Sequence, residues 1–414
     1  MPFIRRVLTS FAISLAAFGL SLAGTAAALG AAAAATQPQP APQAPQPQGA
    51  QPQSPAPGAQ AQPGQPPTAR VEISPRPSPR LQVPMDPDRA RQLYVPTDPK
   101  FQSIGTDYQR DIEARNREDA RWVEITRGIV DYRKVSYRSS VGDLDIPAHL
   151  FQPLTKRGAK GNAAMVWVHG GVHGAWGATM WPFVKEAVAR GYVIIAPDYR
   201  GSIGYGEAFH QAIDYGGYEV DDTMSAVAFL KTLPHVDQDR LGIMGWSHGG
   251  YITLLSVFRD QTPFKAAAAI VPVTNLVFRL SYKGPCYQWD FATQKRIGGL
   301  PFEKRDVYIE RSPLYHVDKL KTPLIVHVAT NDTDVDFVED QQIVDALRSR
   351  KPDLAETKVY VDPAPWCPSV GHSFSRRVDP KTLERVDSPA QIDSWNRTWT
   401  FFEWNLRPYE DRSK

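Results

Sequence analysis

From residue 129 onward the chain sets short, unbroken apolar runs between longer stretches of helical period. The runs "AAMVWVH", "YVIIAP", "LGIMGW", "AAAAIVPV", "PLIVHV" and "TKVYV" are strand-length and rich in Val, Ile and Ala. Between them lie "WPFVKEAVARG", "DDTMSAVAFLKTL", "DFVEDQQIVDALRSR" and "QIDSWNRTWTFFEWNL", which are amphipathic in the manner of helices. Strands without polar alternation are buried on both faces, so the pattern predicts a mainly parallel sheet with helices on both faces. Ahead of these, "IVDYRKVSYRSS" and "LDIPAHLFQP" alternate around "VGD", which reads as two antiparallel strands and a turn. The polar stretch 85–128, clearest in "DYQRDIEARNREDARWVEI", reads as a helical arm. No internal repeat is seen, and one α/β domain is placed at residues 129–410.

The N-terminus sets the expected compartment. Residues 1–36 read as a secretory signal peptide: Arg5 and Arg6 precede an apolar run from Val7, with Ala-x-Ala cleavage options from Thr25 onward. The product is therefore expected to be periplasmic or secreted, with the membrane a partner only if this segment stays uncleaved as an anchor. Residues 37–84 read as a disordered Pro-rich linker, and its core "TQPQPAPQAPQPQGAQPQSPAPGAQAQPGQPP" has nothing to bury. As extended chain it reaches up to ~100 Å, at about 3.1 Å per residue. The chain carries 47 basic and 44 acidic residues, a net charge of +3, with no long basic run, which argues against a nucleic-acid partner. Its two cysteines, Cys286 and Cys367, permit one disulfide in an oxidising compartment, with two free thiols as the alternative.

One apolar run ends unlike the others. In "RLGIMGWSHGGYITLL" (240–255) it passes into Gly245-Trp246-Ser247-His248-Gly249 and at once into a helical pattern. Such sheets bind ligands beyond the carboxyl ends of their strands, where this turn falls. Gly two residues before and after Ser247 marks a nucleophile elbow, with a strained backbone and Oγ exposed above the sheet. The helix that starts there aims its amide dipoles at developing negative charge. A Ser hydroxyl needs a base to take its proton and a third group to orient that base. On this fold the chain order is Ser, acid, His. Of the nine histidines only His372, in "SVGHSFSRR", follows the strand "PLIVHV". The acid is expected in "ATNDTDVDF", which offers Asp332, Asp334 and Asp336. Asp332 comes first and is preferred, Asp334 is second, and Asp336 reads as the start of the next helix. An oxyanion needs two donors: the backbone N–H of His248, and an N–H from "HGGVHG" at Gly171 or Gly170, with Gly171 preferred.

Together with "SSVGDLDIPAHLFQP", "DYRGSIGYGEAF", "VDDTMSAVAFL" and "SPLYHVDKLKTPLIVH", these motifs resemble the catalytic domain of the prolyl oligopeptidase family of serine peptidases. The resemblance spans about residues 135–375 and implies an α/β-hydrolase fold, with Ser247, Asp332 and His372 as triad. Asp332 fits because it stands three residues before Val335. The implied substrate is a peptide or an ester, with no metal or organic cofactor. Larger members of the family carry an N-terminal β-propeller, where this sequence shows only a helical arm and a linker. That departure keeps a carboxylesterase on the same fold as the alternative. Residues 276–318 lie where the superfamily places lids, and there Tyr287, Trp289 and Phe291 are candidates for an apolar acyl or proline pocket. The segment "DYRGSIGYG" is expected beside the site, with Arg200 structural. The approach to the base, "DPAPWCPSVGHSF", would let Cys367 tie to Cys286. The oligomeric state is left open.

Overall fold

The computed structural model describes residues 106–363 and 368–414. The expected signal peptide and linker, the start of the arm, and Cys367 of the expected disulfide lie outside these residues; Cys286 is exposed.

The apolar runs form one eight-stranded sheet in the order β1-β2-β4-β3-β5-β6-β7-β8. Strands β1 (Asp131–Arg138) and β2 (Asp145–Gln152) make the expected antiparallel hairpin, and β2 pairs antiparallel with β4 (Val193–Pro197). The pairings that link β4, β3 (Asn162–Val168), β5 (Val236–Trp246), β6 (Ala266–Ile270), β7 (Leu324–Ala329) and β8 (Ala355–Tyr360) are all parallel. The hairpin is therefore an antiparallel edge on a parallel sheet.

Successive strand residues point to opposite faces, and both faces are covered. In β3, Ala164, Val166 and Val168 join one apolar cluster with Ile252 and Leu254 of the helix His248–Val257 and with Ile343 and Leu347 of the helix Phe337–Arg350. The alternate residues Ala163, Met165 and Trp167 join a second cluster with Phe183 of the helix Trp181–Ala189 and with Trp395, Trp399 and Phe402 of the helix Pro389–Leu406. This is why the runs carry no polar alternation. The helix Tyr108–Thr126 docks on the second face through Trp122, which is fully buried, with its ring 4.9 Å from Phe151. Among the described residues no helix is long and apolar enough to cross a membrane.

Candidate active site

Ser247 sits between the last residue of β5 and the helix His248–Val257, with φ +56° and ψ −124°. A side chain held in so sparsely populated a conformation costs on the order of 1–3 kcal/mol and persists only where surrounding packing dictates it. Here the packing is backbone against backbone. A Cβ on Gly245 would lie 2.5 Å from the Gly249 carbonyl and 2.8 Å from the Val168 oxygen, and one on Gly249 would lie 2.6 Å from the His169 oxygen. The Ser247 N–H donates to the Ile270 carbonyl at 2.9 Å, which ties the turn to β6. The residue as a whole is 5% exposed, because the oxyanion loop and the elbow pack together around it.

Strands β5 and β7 flank β6, so the loops after them open at the same edge of the sheet, two strand spacings or about 10 Å apart. The loop after β7 carries the acids, and the structure gives each a separate place. Oδ1 of Asp332 accepts the backbone N–H groups of Asp334 at 2.9 Å and Val335 at 3.0 Å, and Oδ2 accepts His372 Nδ1–H at 2.8 Å. Asp336 caps the helix Phe337–Arg350 by accepting the Val338 N–H at 2.8 Å. Asp334 goes to the other imidazole nitrogen: its Oδ2 lies 3.3 Å from His372 Nε2, while its Oδ1 accepts Lys283 Nζ at 2.8 Å. Burial pushes the Asp334 carboxyl up, but His372, Lys283 and Arg279 more than offset it and leave it below the ordinary range. Nε2 thus faces Asp334, and among the described residues no hydrogen bond joins it to Ser247 Oγ. The base loop closes tightly on the acid loop, since a Cβ on Gly371 would lie 2.5 Å from Asn331 Oδ1.

The glycine loop after β3 lies against the elbow. A Cβ on Gly170 would stand 2.6 Å from Trp246 Nε1 and 3.1 Å from Ser247 Cβ, so a side chain has no room there. Gly171 adopts φ +72°, and its carbonyl accepts the Tyr199 hydroxyl at 2.6 Å. The His248 N–H opens the nucleophile helix, where first-turn amides have no intrahelical acceptor. The His248 side chain turns inward among Tyr199, Tyr215 and Tyr251, with Nε2 3.4 Å from a Glu219 oxygen. Burial pushes the Glu219 carboxyl up to about 8 and the His248 imidazole well below its usual range. Sequence reading had no signal for Glu219, which lies in another helix.

The aromatic candidates are placed as follows. The Tyr287 hydroxyl accepts Arg279 Nε at 2.8 Å and donates to the Tyr215 hydroxyl at 3.1 Å. Phe291 is buried with its ring 4.5 Å from that of Tyr215, and Trp289 is half-buried against the same core. Tyr287 and Phe291 therefore form a wall behind His248, one ring removed from it. Arg200 is structural, holding buried Asp222 through Nε at 2.7 Å and an Nη at 2.6 Å. Its neighbour Ile203 donates to the Gly174 carbonyl at 3.2 Å, so "DYRGSIGYG" does pack beside the oxyanion loop. Among the described residues no group of three His, Cys, Asp or Glu side chains could hold a metal ion.

Residues 182–379 match the family model described as prolyl oligopeptidase family. Among curated proteins, the chain is 30% identical over 249 residues to the uncharacterized peptidase YuxL of Bacillus subtilis, covering 59% of this chain and 36% of that one. It is 32% identical over 229 residues to dipeptidyl aminopeptidase BIII of Pseudoxanthomonas mexicana, covering 53% and 31% respectively. Its span is thus about a third of the length of these relatives. Among solved structures, the acylaminoacyl peptidase of Pyrococcus horikoshii superposes with a TM-score of 0.56 at 22% identity, over 70% of this chain and 44% of that one. A Mycobacterium tuberculosis puromycin-hydrolyzing peptidase gives a TM-score of 0.53 at 23% identity, over 66% and 40%. These likenesses establish the α/β-hydrolase fold, which the mainly parallel sheet and the elbow independently describe. Residues 182–379 of the chain therefore belong to the prolyl oligopeptidase family.

Proposed function

We propose that this chain is an exported serine peptidase that cleaves peptide or related acyl bonds through an acyl-enzyme on Ser247. The observation that carries the reading is the 2.8 Å bond between Asp332 and His372, on loops that open at the same sheet edge as the strained elbow of Ser247. In this reading Ser247 Oγ attacks the scissile carbonyl as His372 Nε2 takes its proton. His372 then gives that proton to the leaving amine, and water, deprotonated by the same nitrogen, releases the acyl group. Asp332 fixes the tautomer by accepting Nδ1–H, and the N–H groups of His248 and Gly171 receive the oxyanion. Before any of this, Asp334 must leave Nε2, a rearrangement in keeping with the looser geometry of catalytic sites without substrate. Export rests on the N-terminal signal pattern, and peptide substrates on the names of the relatives.

Turnover of a proline or alanine arylamide should be compared with that of an ester carrying the same acyl group, with Ser247→Ala as control. Ser247-dependent cleavage of both supports a peptidase. Ester turnover alone makes the protein a carboxylesterase. No turnover and no labelling by an organophosphonate would overturn the catalytic reading.

A further inference from the structure

Four residues beyond His372, on the same loop, stands Arg376. Its guanidinium lies over the indole of Trp246, 5.0 Å from the ring centroid, and Trp246 immediately precedes Ser247. The edge of that indole in turn touches the Gly170 loop. Arg376 therefore stacks on the residue that leads into the elbow, on the loop that carries the base.

Among the described residues its charge has no hydrogen-bonded or ion-paired partner. Nε is buried and finds no acceptor among the described residues. The nearby acids are already engaged: Asp332 with His372 and two backbone amides, Asp334 with His372 and Lys283. Burial lowers the Arg376 pKa to about 10, with Asp332 and Asp334 pulling the other way, so the group stays charged at neutral pH. An unpaired, partly desolvated cation is costly, and a guanidinium stacked on an aromatic face is a pre-oriented fork for a carboxylate. Arg115 also has a buried Nε without an acceptor, but its charge is paired with Asp119 and Asp198, and two other structural arginines are fully bonded. Arg200 is saturated by Asp222, and Arg240 by Asp237 and backbone carbonyls.

We infer that Arg376 is a specificity-determining residue that binds a carboxylate on the leaving-group side of the substrate. The inference rests on the serine peptidase reading, because it is His372, as proton donor to the leaving amine, that assigns its loop to that side. The substrates favoured are then short peptides whose C-terminal carboxylate falls just beyond the scissile bond.

The test uses two short peptides that differ only in a C-terminal carboxylate or carboxamide, titrated calorimetrically into Ser247→Ala protein. A charge-assisted hydrogen bond predicts that the acid binds about ten- to a hundredfold more tightly than the amide. With Arg376→Gln added, the two affinities should converge to within about threefold, while Arg376→Lys keeps part of the preference. Equal binding of acid and amide by protein that retains Arg376 overturns the inference without recourse to any variant. So does a preference that survives Arg376→Gln, or a Gln variant that loses acid and amide alike. Turnover by the wild-type protein, measured separately, judges the catalytic reading and not this one.

Discussion

Replacement of Asp332 by Asn tests the site most sharply, because the structure dictates which way the new amide must face. Oδ1 accepts two backbone N–H groups, at 2.9 and 3.0 Å, and only an oxygen can take that place. The amide nitrogen is therefore forced into the Oδ2 position, 2.8 Å from His372 Nδ1. Two donors cannot face one another, so the imidazole must move its proton to Nε2. A protonated Nε2 cannot accept a proton from Ser247, and the base is lost although the shape of the site is kept. Where this tautomer trap has been set in a serine triad, turnover drops by about 10⁴. At about 1.36 kcal/mol per decade that is a barrier increase of about 5.4 kcal/mol. The assay is kcat on an activated ester, with a thermal melt to show that the fold survives. A loss smaller than about tenfold in a folded variant would mean that Asp332 does not orient the base, and the reasoning would fail with it.

Other expected outcomes follow from the same geometry. Asp334→Asn should remove the carboxylate facing His372 Nε2 and quicken organophosphonate labelling of Ser247; slower labelling would show that Asp334 assists the base instead. Gly249→Ala places a Cβ 2.6 Å from the His169 oxygen, against backbone that cannot give way, so stability should fall by about 1–3 kcal/mol or more in chemical denaturation and activity should vanish. Native stability or activity in that variant would refute the packing argument. Glu219, pushed up by burial from 4.5 to about 8, binds its proton more tightly in the folded state than in the unfolded state. Its contribution is therefore complete at low pH and is lost as pH rises through that window. Glu219→Gln should accordingly flatten the fall in melting temperature between about pH 5 and 8, and an unchanged slope would assign that fall to other groups.

Much of this fold is legible in the chain because its signals are local. The runs of β3 to β7 are apolar on both faces because each strand is buried between two layers of helices, so the absence of alternation reports the parallel sheet directly. The elbow is equally local: Gly245 and Gly249 are demanded by contacts within the turn and with β3, and the strand-Gly-helix pattern shows them. Chain order then left His372 as the one histidine after β7. What the sequence did not settle is whatever depends on loops distant in sequence. Three aspartates within five residues look alike on paper. Only the folded loops give Asp332 to Nδ1, Asp334 to Nε2 and Lys283, and Asp336 to a helix cap. The aromatics of 276–318 could equally have lined a pocket or packed on one another. Burial of Phe291, and the Tyr287 hydroxyl held between Arg279 and Tyr215, place those two in the wall behind His248. Arg376 is the extreme case. Its identity is plain in "GHSFSRR", but its lack of a partner among the described residues is a property of the folded neighbours and not of the local sequence. Local sterics and hydrophobic period are written residue by residue along the chain, whereas electrostatic pairing is decided by which distant loops the closed sheet brings to the same edge.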